Sequence, residues 1–233
     1  MHAKITEKHD IVEGTLYMKL GLSEQIDFKA GQFFRLTLIN PPYTDNRGNG
    51  RFLGFVNSPS QNTIIETVTR LGPSAFKRFL NEAPVDTEVD ISAVGGEMLL
   101  PDSQTNLVIV TGGIGIVPYM SMFRLMREQS LNQKVTLIYS NTRTSWALFM
   151  DELENYSRKN PNFNFIPTMT QDDGWQGEKR RIGEELLREK IPAPQDNLYY
   201  ISGTPRFVPS VVTMVKSLGV TPQNLKFEIF TGY

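Results

Sequence analysis

The hydrophobic pattern of this chain changes period near residue 105, and that change limits the fold more than any other feature. An unbroken apolar run, Leu107-Val108-Ile109-Val110, enters the segment Thr111-Gly112-Gly113-Ile114-Gly115-Ile116-Val117-Pro118. Beyond it Tyr119, Met122, Phe123 and Met126 recur at i, i+3, i+4 and i+7. The run suits a strand buried on both faces, and the recurrence suits one face of a helix. Further strands are expected at Val135 to Tyr139, Phe163 to Thr168, Leu198 to Ser202 and Lys226 to Phe230. Helices fall between them at Leu148 to Ser157, at Gly183 to Lys190, and around Val208, Val211, Val212 and Val215. Such alternation demands a mostly parallel sheet covered by helices on both faces.

Upstream the pattern is short alternating or β-branched runs broken by Gly, Pro and Asn, which reads as antiparallel β-structure. The expected strands are Ala3 to His9, Thr15 to Leu20, Phe33 to Ile39, Arg51 to Val56, Thr63 to Thr69 and Glu88 to Val94. Phe76, Phe79 and Leu80 mark one short amphipathic helix at Ser74 to Asn81. Two domains are therefore expected. Residues 1–102 form an antiparallel β-barrel with one capping helix, and residues 103–233 form an α/β domain with a parallel, Rossmann-like sheet, the polar stretch Pro101 to Thr105 marking the join.

Composition removes several classes of function. With no cysteine, the 233 residues hold no disulfide, thiolate zinc site, cysteine nucleophile or self-contained cysteine-ligated iron-sulfur cluster. His2 and His9, both near the start, are a poor basis for a metal site or a Ser-His pair. A formal net charge of -1 offers no basic excess for nucleic acid. No apolar stretch approaches the roughly 18 residues of a membrane span, and the first residues carry no signal core, so a cytoplasmic protein is expected.

The glycine loop is the first place to look for chemistry. Backbone N–H groups at a helix start, aided by the helix dipole, attract an anion such as phosphate; the other reading is that small residues only allow close strand-to-helix packing. Ser74 is a good N-cap for its helix, with Arg70 just upstream, and either caps only or helps hold an anion. Arg51 is a phosphate fork or a surface ion-pair residue. At the end of the second α/β strand, Ser140, Asn141 and Arg143 stand where a nucleotide ribose is read, with no acidic residue among them.

The segment TGGIGIVPYMSMFR resembles the nucleotide loop of the ferredoxin-NADP(+) reductase superfamily, G-G-x-G-[IV]-[TV]-P. Other pieces follow in that family's order. These are Arg51 in RFLGFVNSP, Gly72 to Phe76 in RLGPSAFKRFL, Gly95-Gly96 with Leu100-Pro101, Ser202-Gly203-Thr204-Pro205, and the terminal FTGY. The resemblance runs through nearly the whole chain. It implies an oxidoreductase that passes hydride from NADPH or NADH to bound FAD, FMN being less expected, and then electrons to a separate acceptor such as ferredoxin or flavodoxin.

It also implies roles for residues. Arg51 would pair with the flavin phosphate, while Leu53 and Gly54 stand where the family has an aromatic and a hydroxyl. Phe55, Val56 and Asn57 would run along the isoalloxazine edge, and Gly72, Ser74 and Ala75 would receive the pyrophosphate. Thr111, Gly112, Gly113, Gly115, Ile116 and Pro118 would cradle the dinucleotide, and Ser140, Asn141 and Arg143 would favour the 2'-phosphate of NADPH. Ser202 replaces the family's cysteine beside the nicotinamide, with Gly203 and Thr204 following. Glu228 would lie near that pocket, and Phe230 or Tyr233 would cover the flavin. Two rivals remain, a non-catalytic subunit that keeps the fold and binds nucleotide or flavin, and a reductase of free flavin.

Overall fold

The computed structural model describes residues 1–102 and 104–231. The chain divides into two compact units. The first comprises Met1–Leu100 with Val117–Gln129; the second comprises Pro101–Ile116 with the chain from Ser130 onward.

In the first unit six strands form one antiparallel sheet. They are β1 (His2–Val12), β2 (Thr15–Leu22), β3 (Phe33–Leu38), β4 (Gly50–Gly54), β5 (Ile64–Arg70) and β6 (Glu88–Gly95), in the order β4-β3-β6-β1-β2-β5. Alternation places one set of side chains inside: Phe34, Leu36 and Leu38 of β3 are buried with Leu16, Met18 and Leu20 of β2, while Phe33, Arg35 and Thr37 are half-buried. The chain leaving edge strand β4 reaches the other edge. There Val56 N–H donates to Glu66 O at 2.8 Å and Thr67 Oγ1 donates to Gly54 O at 2.9 Å, which gives the sheet its barrel-like closure. Helix α1 (Ala75–Glu82) starts at Ser74, whose side chain accepts from Lys77 N–H, and buries Phe76, Lys77 and Leu80.

Helix α2 (Val117–Glu128) belongs to this unit by its contacts. Ser121 Oγ donates to Asn57 O at 2.8 Å, and the Ser58 and Ser60 hydroxyls donate to Glu128 at 2.6 and 2.7 Å. Arg124 Nη1 lies 2.6 Å from Glu66 Oε2, with the two side chains only 18% and 15% exposed. Removing one member of so shielded a pair leaves the other charge without its counter-ion. Arg124→Met is therefore expected to lower the unfolding free energy by about 2 kcal/mol, read as a reduced urea midpoint at unchanged slope.

In the second unit β7 (Leu107–Gly112), β8 (Val135–Asn141), β9 (Phe163–Met169), β10 (Leu198–Gly203) and β11 (Leu225–Ile229) form a parallel sheet in the order β11-β10-β7-β8-β9. Every residue of β7 from Leu107 to Thr111 is buried, as its unbroken apolar run requires. On one face Val208, Val211 and Val215 of α5 (Phe207–Ser217) and Leu187 of α4 (Glu184–Lys190) pack on Val108, Val110, Ile138 and Ile201. Helix α3 (Met150–Lys159) packs beside β9. Strand order reverses at β7, because β8 and β9 lie to one side and β10 and β11 to the other. Parallel sheets bind ligands outside the carboxyl ends of strands at such a reversal. Among the described residues no helix is long and apolar enough to cross a membrane, and no His, Asp or Glu cluster could hold a metal ion.

Candidate functional site

The loop leaving β7 at the reversal is held by a buried polar network. Gly112 ends the strand, Gly113 takes a φ of 54°, and Gly113–Ile116 form a tight 3₁₀ turn before α2. Ser202 at the end of β10 donates from Oγ to Gly115 O at 2.9 Å, and Thr111 Oγ1 donates to Ser202 O at 3.0 Å. Tyr139 OH donates to Gly113 O and accepts from Leu148 N–H, both at 3.0 Å. A Cβ at Gly115 would lie 2.5 Å from Thr111 Oγ1 and 2.9 Å from Ser202 O, so only glycine fits there. Ile116 is buried at the end of the turn and Pro118 in the first turn of α2.

Ser202 is 0% exposed and its hydroxyl already serves the loop. Its place makes it a brace for Gly115, a role the motif reading did not contain. Gly203 takes a φ of 152° and accepts from Phe230 N–H at 2.9 Å. Thr204 lies just before α5: its carbonyl accepts from Phe207 and Val208 N–H, and its hydroxyl accepts from Phe207 N–H at 3.2 Å. Glu228 lies on β11 opposite Ser202 in the ladder and is half-buried, as is Phe230. Tyr233 lies outside the described residues.

At the end of β8, Asn141 is 7% exposed and its Nδ2 is buried without a hydrogen-bond partner. By strand alternation Asn141 shares a face with Tyr139, whose hydroxyl bonds the glycine loop. Ser140 Oγ accepts from Thr168 Oγ1 at 3.2 Å, and Arg143 is exposed. Asp172, missed by the motif reading, accepts from the N–H and hydroxyl of Thr144 at 2.9 and 2.6 Å, and those bonds hold its carboxyl below the usual carboxylate range.

In the β unit Arg51 turns one side of its guanidinium onto the chain before it. Nη1 donates to the carbonyls of Arg47, Gly48 and Gly50 at 3.0, 3.1 and 2.7 Å, and the group lies 5.1 Å over the Phe76 ring. Nη2 is buried and makes no hydrogen bond. Leu53 is 4% exposed and sits in the barrel core. Gly54 is half-buried, and a Cβ there would lie 2.9 Å from Val117 Cγ1. Phe55, Val56 and Asn57 are all buried; the first two N–H groups donate to Gln32 O and Glu66 O, and the Asn57 side chain braces Gln61, Ile64 and Glu66. Arg70 bonds Thr15 Oγ1 at 2.7 Å, and Gly72 is exposed before Ser74.

The N-terminus of α1 holds a group that the motifs did not reveal. Ala75 N–H donates to Asp45 Oδ2 at 2.7 Å, and Asp45 Oδ1 accepts from Arg47 N–H at 2.9 Å. These backbone donors keep the Asp45 carboxyl below its ordinary range. Burial lowers the pKa of Lys77, with further lowering from Arg51, Arg47 and Arg70. Burial likewise lowers that of Arg51. Arg47 and Arg51 thus bear on both Asp45 and Lys77. The density of arginines in Arg47, Arg51 and Arg70 is the sequence signal that could have pointed here.

Residues 109–213 match the family described as the oxidoreductase NAD-binding domain. The chain is 24% identical to one component of the Na(+)-translocating NADH-quinone reductase of Methylococcus capsulatus, across 93% of this chain and 64% of that protein. It spans about half to two thirds of the length of the curated relatives it first matches. Among solved structures, the FAD/NAD-binding domain of nitric oxide dioxygenase from Vibrio cholerae superposes with a TM-score of 0.85 at 16% identity, covering 98% of both chains. A ferredoxin NADP+ reductase from Neisseria gonorrhoeae with bound FAD and NADP gives 0.81 at 21%, covering 100% of this chain and 98% of that one. These likenesses establish a shared fold.

Proposed function

We propose that the chain is a member of the ferredoxin-NADP(+) reductase superfamily, whose fold it shares, and an NAD(P)H-dependent flavoprotein reductase that delivers electrons to a separate acceptor such as ferredoxin or flavodoxin. The observation that carries this reading is the β7 loop, where Ser202 and Thr111 brace a turn at which only glycine fits at position 115. Such a fixed turn at a helix start is built to bring backbone N–H groups against a pyrophosphate.

Both groups fit residues that are present. Asn141 Nδ2 is a buried donor that lacks an acceptor, and a nucleotide oxygen or ring nitrogen supplies one. Arg51 Nη2 is likewise a buried donor, and a flavin phosphate satisfies it with a charge-assisted bond. When bound, the flavin accepts two electrons as hydride from NAD(P)H and releases them singly or together. Arg51 and the N-terminus of α1 hold the flavin phosphate, the β7 loop holds the dinucleotide pyrophosphate, and Ser202 keeps Gly115 in place. Ser202 is in this reading a positioning residue.

Purification tests the proposal. A yellow protein that bleaches anaerobically on addition of NADPH or NADH supports it, and a colourless protein that cannot be reconstituted with FAD overturns it. A second reading, flavin as an exchangeable substrate, is favoured by the engagement of Phe55 and Val56 N–H within the barrel. Retention of FAD through gel filtration rejects that second reading.

The nucleotide preference is proposed to be NADPH, with Arg143 as the phosphate contact and Asp172 turned onto Thr144. Arg143→Ala is then expected to raise KM for NADPH about tenfold and to leave KM for NADH within about twofold. Steady-state rates with both nucleotides decide it, and equal changes for the two remove Arg143 from this role.

A further inference from the structure

Strand β11 is the outermost strand on its side of the parallel sheet, so only one of its two backbone edges meets a neighbouring strand. One bond fixes which groups face outward. Phe230 N–H donates to Gly203 O on β10, and backbone direction alternates along a strand, so Glu228 and Lys226 also turn their N–H and C=O groups onto β10. Leu225, Phe227 and Ile229 turn theirs to the open edge. Leu225 N–H is taken by Pro222 O, whereas the Leu225 carbonyl and both backbone groups of Phe227 and Ile229 meet no partner among the described residues. Side chains alternate as well. Leu225 joins the core beside α5, and Phe227 and Ile229 on the same face are 51% and 42% exposed. An open apolar edge is a template for another strand, and this one carries no proline, no register shift and no net charge to prevent pairing.

We propose that β11 is the contact of a homodimer, in which two copies of this chain pair antiparallel about Phe227 and join their parallel sheets edge to edge. The strand is complementary to itself in that register. Phe227 lies opposite the partner's Phe227, Leu225 opposite the partner's Ile229, and Lys226 opposite the partner's Glu228. Opposed residues of an antiparallel pair share a face, so the apolar side chains meet on one face and the Lys–Glu pairs on the other. The open backbone groups agree. Phe227 N–H donates to the partner's Phe227 O, and Ile229 N–H donates to the partner's Leu225 O, each twice by the two-fold symmetry. Sliding the pair by one hydrogen-bonded step sets Lys226 against the partner's Lys226, or Glu228 against the partner's Glu228, and like charges directly opposite are destabilising. Within its own subunit Lys226 lies 5.7 Å over the Tyr200 ring of β10, which keeps it on the face where the pairing needs it. The proposal does not depend on the flavin or nucleotide readings.

Sedimentation velocity on the whole chain tests it. A contact of two short strands is small, so dimer is expected at about 100 µM and monomer at about 1 µM. Lys226→Glu and Glu228→Lys each set like charges opposite one another, and each should raise the dissociation constant at least about tenfold. An equal mixture of the two variants restores opposite charges at every contact, and its dimer should return to the wild-type level. Phe227→Lys, at an exposed position, should abolish the dimer while circular dichroism shows the fold retained, and it decides alone should Glu228→Lys fold poorly. A wild-type chain that stays monomeric over this range overturns the proposal. A dimer that survives Phe227→Lys also overturns it, because the copies then meet elsewhere. A mixture that stays monomeric although both charge variants are folded overturns the register.

Discussion

Gly115→Ala is expected to lose about 2–4 kcal/mol of stability and at least about tenfold in NAD(P)H affinity. The added methyl would meet Thr111 Oγ1 at 2.5 Å and the Ser202 carbonyl at 2.9 Å, and neither can yield cheaply. Thr111 is 0% exposed, and its hydroxyl donates to that same carbonyl. The Ser202 backbone lies in β10, paired on one side to β7 and on the other to β11. Relief must therefore come from the loop, by breaking the Ser202 Oγ bond to Gly115 O and lifting the turn away from the strand ends. A lifted turn no longer aims its N–H groups at a pyrophosphate. Urea midpoints measure the first effect and KM for the nucleotide the second. Gly174→Ala is the control, because its Cβ would meet only Asp172 Oδ1 at 3.5 Å and both values should stay unchanged. Wild-type nucleotide affinity in Gly115→Ala would remove the loop from the binding site.

The elements around this loop were readable because local pattern and global fold agree there. Leu107 to Val110 reads as a fully buried strand and is one, and Ser74 reads as a cap and is one. What could not be read are partners far away in sequence. Helix α2 shows a helical period, but the period does not say that Ser121 will meet Asn57 or that Arg124 will meet Glu66, each about sixty residues upstream. Ser202 was legible as a polar substitute in a motif; its bond to a carbonyl 87 positions earlier was not.

Leu53 shows a different signal in the sequence. Alternation along Arg51-Phe52-Leu53-Gly54-Phe55 already places Leu53 and Phe55 on one face, and both are buried in the barrel core. The family motif has an aromatic at this place, whereas the strand period puts this side chain among the packing residues. Phe52, on the other face, is 56% exposed with its ring edge-on to Phe33. Asp45 was hidden because a loop carboxylate beside Asn46, Arg47 and Gly48 reads as a turn former, which it also is through Arg47 N–H. Nothing local announces that its second oxygen caps a helix thirty residues on.

Arg51 carries the second large effect. Its two terminal nitrogens do different work: Nη1 gathers three carbonyls of the preceding chain, and Nη2 is a buried donor with no hydrogen bond. Burial first, and then the neighbouring Arg47 and Arg35, make the protonated guanidinium costlier and lower its pKa against the opposing pull of Asp45, so a charge kept there needs a return. Asp45, 3.8 Å from Nη2, supplies part of that return, and on the proposed reading a flavin phosphate supplies the rest. Arg51→Ala should weaken FAD binding about tenfold to a hundredfold, the worth of a charge-assisted hydrogen bond. It should also loosen the chain at Arg47 to Gly50. Arg51→Lys separates the two effects, because an ammonium keeps the charge but cannot hold the carbonyls and the phosphate together as a planar fork does. Flavin retained per protein after gel filtration should fall in the order wild type, Arg51→Lys, Arg51→Ala. Arg51→Ala that retains wild-type flavin and shows only a lower urea midpoint would make Arg51 a loop brace and move the phosphate contact elsewhere.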